Sequence, residues 1–232
     1  MKINHKIFHL EKDIERENLV NSANSCFDLF SEELNTPTIH ISSEEDILEF
    51  VKLNPDFKLS GNGYSLHGQQ GWKLGEIGIW ASNWLAWKNF LNSDADYLIL
   101  MEDDIVVEPD FKYFLVDYIN ELPQDWDVLH MFAPADQFHK YSLESHGIGK
   151  NCICKAYQDW SCLCYIINKR SAQKMIEKSY MANLPLDWYM FRQQNIFNVY
   201  SIKPTEKFAC RLAILDSTFQ NIQERRIING IF

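Results

Sequence analysis

Tyr97-Leu98-Ile99-Leu100-Met101 is an unbroken apolar run that ends at three consecutive acids, Glu102-Asp103-Asp104. A strand with one wet face alternates apolar and polar residues; a continuous run fits a strand covered on both faces. The surrounding pattern agrees. Strand-like stretches are expected at residues 5–10, 36–41, 126–132, 162–168 and 199–203. Helix-like stretches are expected at residues 11–30, 43–51, 76–91, 110–122, 170–180 and 185–193. Ser43 with Asp46 three residues on reads as a helix N-cap. Ile77, Trp80, Ala81, Trp84, Trp87 and Leu91 recur at helical spacing and predict an amphipathic helix. Strands alternating with helices predict an α/β fold, one Rossmann-like domain with a mostly parallel central sheet flanked by helices.

The 22 Lys+Arg against 32 Asp+Glu leave a net charge of −10, which argues against a nucleic-acid surface, since that needs a basic stripe. Residues 1–10 are too short and interrupted an apolar run for a signal peptide, so the cytoplasm is the expected location. The cysteines include two C-x-C pairs, Cys152/Cys154 and Cys162/Cys164. Zinc sites favour C-x2-C spacing, so these read as reduced strand cysteines, each pair on one face. Trp72, Trp160 and Trp188 lie beside loop-like or motif positions. Each reads either as core or as a platform for a sugar face.

Ligands of open α/β sheets bind beyond the carboxyl ends of the strands. Three adjacent acids there repel one another unless a cation neutralises them, and Mg²⁺ or Mn²⁺ prefers such carboxylate oxygens. If the strand continues, alternation puts Glu102 and Asp104 on one side as a shared metal environment and turns Asp103 away. The bland alternative is a solvated acidic turn. Gly75-Glu76-Ile77-Gly78 opens the tryptophan-rich helix. Its glycines suit close approach of backbone to an anionic ligand, or only a turn. In Pro185-Leu186-Asp187, Asp187 reads as a general base or as a first-turn carboxylate favoured by the helix dipole.

Gly75-Glu76-Ile77-Gly78, Ser82, and the strand running into Glu102-Asp103-Asp104 together resemble glycosyltransferase family 25. The opening strand with Arg16, the Pro123-Gln124-Asp125-Trp126-Asp127 segment, Tyr165-Ile166-Ile167 with Ala172, Pro185-Leu186-Asp187 and Asp216-Ser217-Thr218 keep the family's order. One departure is Ser82-Asn83, where the family commonly has Ser-His; Asn can hydrogen-bond but cannot titrate.

The resemblance implies a GT-A-type fold. Residues 1–130 would mainly bind a nucleotide-sugar donor, and residues 131–232 would mainly face the acceptor. It implies inverting transfer of a sugar, galactose from UDP-galactose in the commoner members, onto a glycan or lipid-linked glycan such as a lipooligosaccharide. Mn²⁺ or Mg²⁺ would sit on Glu102 and Asp104. Asp103, Arg16, Glu76, Gly78 and Asn83 are the donor-side candidates, and Asp187, then Asp216, the candidate bases. The alternative is a catalytically weak nucleotide-sugar- or carbohydrate-binding protein on the same fold. A different Mg²⁺-dependent phosphoryl enzyme would want a P-loop or a D-x-D-x-[TV] loop, and neither is present. The tail from Arg225 suits peripheral contact with an anionic inner membrane face, though two arginines contribute only about 1 kcal/mol each. No residue pattern sets the oligomeric state.

Overall fold

A computed structural model describes residues 1–60, 63, 71–131, 147–148, 153–155, 162–192, 196–202, 210–212 and 226–227. Asp216 and Trp160 lie outside these residues. So do most of the tail and parts of residues 54–71 and 132–151.

The strands are β1 (Ile3–Phe8), β2 (Glu32–Glu33), β3 (Trp72–Lys73), β4 (Tyr97–Glu102), β5 (Ile105–Val107), β6 (Val128–His130), β7 (Gly147–Ile148), β8 (Ile153–Lys155), β9 (Cys164–Asn168), β10 (Val199–Ile202), β11 (Cys210–Leu212) and β12 (Arg226–Ile227). The helices are α1 (Ile14–Phe27), α2 (Glu44–Leu53), α3 (Leu74–Asn92), α4 (Phe111–Glu121), α5 (Lys169–Lys178) and α6 (Leu186–Arg192). The central sheet has eight strands in the order β2-β1-β4-β9-β6-β10-β8-β7. Strands β2, β1 and β4 pair in parallel, as do β6 and β10. Strand β9 lies antiparallel between β4 and β6, and β8 antiparallel between β10 and β7. Most strands therefore share one direction, with two reversed strands making the sheet mixed.

Both faces of β4 are covered, as its apolar run requires. Leu98 and Leu100 enter the core on the α3 side, while Ile99 and Met101 enter the core shared with α1 and α4. Helix α3 is not simply amphipathic. Beside the expected Ile77, Trp80, Ala81, Trp84 and Trp87, its Gly78, Ser82, Asn83 and Ala86 are also buried, whereas Leu91 is only half-buried. Such a helix is enclosed on nearly every side.

Part of what encloses α3 is the stretch 36–41, which forms no strand. Its polar backbone is tied to side chains instead. The Ile39 N–H donates to Ser82 Oγ at 2.8 Å, and Ser82 Oγ donates to the Gly78 carbonyl at 2.8 Å. A Cβ on Gly78 would meet the Ile39 carbonyl oxygen at 3.0 Å. The glycine thus serves close approach of the protein's own backbone, not only of a ligand.

Other expectations resolve locally. Ser43 caps α2 in a full capping box with Asp46. Cys162 and Cys164 fall in different core clusters, because Cys162 precedes β9 and the two-residue alternation does not reach it. Trp72 is core, with its indole N–H on the Ser60 carbonyl, and Trp126 is buried too. Trp188 is half-buried. Asp127 is 1% exposed and joins three elements: it accepts from Lys174 Nζ at 2.6 Å and from the Asn198 N–H at 2.9 Å, with Arg170 at 3.7 Å. Among the described residues, no helix is long and apolar enough to cross a membrane.

Candidate active site

The parallel register of β1 and β4 builds the site. Phe8 lies opposite Glu102, the last residue of each strand. The chain beyond β1 (His9, Leu10) therefore emerges beside the chain beyond β4 (Asp103, Asp104). Strand β4 ends at Glu102 and turns, so two-residue alternation does not extend to Asp104. The expected shared face of Glu102 and Asp104 comes from the turn rather than from a continuing strand.

Asp103 is buried and fully engaged. It accepts from Arg16 Nη1 at 2.5 Å on one oxygen and meets His9 Nδ1 at 2.8 Å on the other. Arg16, buried on α1, also stands 3.7 Å from Asp104 Oδ2. Burial alone would lower the Arg16 pKa, but the hydrogen bond and charge of Asp103, with Asp104, more than reverse this and raise it. Asp103, foreseen on the donor side, holds Arg16 and His9 in place between β1, α1 and β4.

Glu102 and Asp104 are in the opposite condition. Burial, then the charges of Asp104, Asp187 and Asp103, push Glu102 up to about 8, with Arg16 opposing. Burial raises Asp104 as well, again with Arg16 opposing. One oxygen of Asp104, Oδ1, is buried without a hydrogen-bond partner among the described residues. Ionising both would put more negative charge here than the surrounding protein neutralises.

The two acids line one pocket with Arg16, Asp103, Gly78 and Asn83, so six of the sequence candidates converge. Phe8, Leu10, Asp13, Thr38, Ile39, Ile79, Ser82 and Cys162 complete the wall. Glu76 does not line it; its carboxylate accepts the Lys73 backbone N–H at 2.8 Å and ties down the start of α3. Asp187 stands at the head of α6, where its Oδ1 accepts the Trp188 N–H at 2.8 Å. It is close enough that its charge acts on both Glu102 and Cys162. Trp80 positions this helix by donating its indole N–H to the Leu184 carbonyl at 3.1 Å and packing edge-on against Tyr189.

Asp13, Thr38 and Cys162 on the pocket wall, and His9 held on Asp103, are among the site residues that sequence reasoning missed. The signal for His9 was present: two parallel strands ending in register bring the residues after each together. Cys162 gave no signal, because its place depends on β9 inserting beside β4.

The model of glycosyltransferase family 25 (LPS biosynthesis protein) matches residues 10–190, which include every pocket acid. The chain belongs to that family. Among curated family relatives, the procollagen lysyl hydroxylase and glycosyltransferase of Acanthamoeba polyphaga mimivirus is 29% identical over 118 residues, covering 47% of this chain and 12% of that protein. Human procollagen galactosyltransferase 2 is 26% identical over 120 residues, covering 50% and 19%. The chain thus spans less than a fifth of either relative's length. A solved Drosophila β-1,4-galactosyltransferase 7 mutant, in complex with manganese, UDP-Gal and xylobiose, aligns over 97% of this chain and 75% of its own. That alignment has a TM-score of 0.47 and 10% identity.

Proposed function

We propose that this chain is a divalent-metal-assisted, inverting glycosyltransferase that moves a sugar, galactose from UDP-galactose, onto a glycan such as a lipooligosaccharide. The observation that carries the reading is the underneutralised pair Glu102 and Asp104 at the carboxyl edge of the sheet, in a pocket shared with Arg16 and Asn83. Family membership supports the reaction class.

Among the described residues, no three His, Cys, Asp or Glu side chains cluster as a metal cage. Two carboxylates with a buried, unpartnered oxygen still suit Mg²⁺ or Mn²⁺, which take one or two carboxylates and complete their shell with phosphate oxygens and water. Bound there, such an ion would stabilise the charge that develops on a departing diphosphate.

The protein's own residues do the rest. Arg16, locked by Asp103, adds a fixed positive charge beside the carboxylates. Asp187 takes the proton of the acceptor hydroxyl as its oxygen bonds to the anomeric carbon and the bond to UDP breaks. Phe8, Leu10 and Ile39 exclude water from the reacting end. The acidic surface of this chain would repel a free nucleotide diphosphate, so donor binding should require the cation.

Turnover measured as UDP release, with Mn²⁺ or with EDTA, tests this. Activity should need metal, and Asp104→Asn should lower it at least about a hundredfold. UDP-sugar binding that is equal in EDTA, or an active Asp104→Asn protein, overturns the metal assignment. Binding of UDP-sugars without any UDP release favours a binding protein over an enzyme.

A further inference from the structure

A chain of three hydrogen bonds, the first two buried, ends in the candidate pocket, and its direction is forced. Trp87 Nε1 donates to Tyr165 Oη at 3.1 Å, Tyr165 Oη donates to Asn83 Oδ1 at 2.5 Å, and Asn83 Nδ2 donates to the Ile79 carbonyl at 2.8 Å. An indole N–H can only donate, so the tyrosine oxygen accepts there and its single hydrogen must go to Asn83. An amide facing a hydroxyl donor presents its oxygen to it. The Asn83 NH2 group is thereby turned the other way. One of its hydrogens goes to Ile79, and the second has no protein partner among the described residues. Asn83 is 2% exposed and lines the pocket beside Glu102.

The opposite amide orientation would have a consequence. A flipped Asn83 would add one more acceptor oxygen to a pocket already lined by Glu102, Asp104 and Asp13, repelling an oxygen-rich ligand. It would also set two donors, the Tyr165 hydroxyl and the amide, against each other. Tyr165 and Trp87 are both buried, so water does not substitute for either partner.

We propose that Tyr165 is a positioning residue, held by Trp87, that fixes the Asn83 amide so that it offers an N–H to an acceptor oxygen of the bound nucleotide sugar. This rests on the functional reading above, and names the polarity of one wall of that site. The acceptor oxygen belongs either to the diphosphate or to a sugar hydroxyl.

Calorimetric titration with UDP and with UDP-galactose, in Mn²⁺, separates these sources. Tyr165→Phe and Asn83→Leu should each weaken binding about tenfold, the value of one well-placed hydrogen bond. Because Tyr165 acts through Asn83, the double variant should bind no more weakly than Asn83→Leu. Weakening for both ligands assigns the oxygen to the diphosphate; weakening for UDP-galactose alone assigns it to the sugar. Wild-type affinity in Tyr165→Phe, or a double variant weakened by the product of the two single effects, overturns the proposal. If Tyr165→Phe does not fold, Asn83→Asp serves: it keeps an oxygen toward Tyr165 and replaces the NH2, so unchanged binding overturns the proposal and weakened binding supports it. Failure of the wild-type protein to bind any nucleotide sugar overturns the functional reading itself, and this inference with it.

Discussion

Replacing Glu102 with Gln should change the pH dependence of stability more than stability itself. Glu102 is pushed from 4.5 up to about 8, first by burial and then by Asp104, Asp187 and Asp103. The folded protein therefore holds this proton more tightly than the unfolded chain does. Its contribution is fully present below the unfolded value of 4.5, falls as pH rises, and is lost by the folded value of about 8. At about 1.4 kcal/mol per unit, that span corresponds to about 5 kcal/mol, and sharing with the neighbouring acids reduces it to about 2–5 kcal/mol.

Gln has the shape of the protonated acid and never ionises. In chelator, Glu102→Gln and wild type should melt together near about pH 4.5, where the acid is still protonated. By about pH 9 the variant should melt higher by roughly 5–15 °C, at about 2–4 °C per kcal/mol for a chain of this size. Adding Mn²⁺ at the higher pH should raise the wild-type melting temperature and close the gap, because the cation replaces the proton. Melting curves over a pH series, with and without metal, read all of this. Parallel profiles for the two proteins would show that Glu102 is neither desolvated nor crowded enough to hold its proton, and would remove the electrostatic case for a cation.

Three further outcomes follow from packing and polar contacts. Gly78→Ala places a Cβ 3.0 Å from the Ile39 carbonyl, a backbone atom that cannot yield cheaply; denaturant unfolding should show a loss of about 1–3 kcal/mol. Asp127→Ala leaves Lys174 and the Asn198 N–H without their acceptor and should cost about 2–4 kcal/mol by the same measurement, with little effect on donor affinity. Ser43→Ala breaks the capping box of α2 and should cost about 1 kcal/mol, read as a small fall in melting temperature.

Much of the frame was legible in the chain because its signals are local. The run from Tyr97 to Met101 demanded cover on two sides, and it lies between two core clusters. Ser43 and Asp46 announced a helix start, and the tryptophans at helical spacing announced α3. Residues 36–41 read as a strand because Thr and Ile favour extended backbone. They form no strand: the Ile39 N–H goes to Ser82 Oγ, and the Ile39 carbonyl sits against the notch at Gly78.

The chemistry divides in the same way. Residue types alone determined that an acidic strand end would need a positive partner, since adjacent carboxylates repel whatever the fold. Which acid takes which partner was decided only by tertiary structure. Arg16 comes from α1 and His9 from the end of β1, and their arrival beside β4 commits Asp103 to them while leaving Glu102 and Asp104 underneutralised. Asn83 was visible as a polar residue in an apolar helix, but the way its amide faces depends on Trp87 and Tyr165, the latter 82 residues away on β9. Hydrogen-bond direction and desolvation depend on what lies within a few ångströms in space, and that neighbourhood does not exist until β1, β4 and β9 lie side by side.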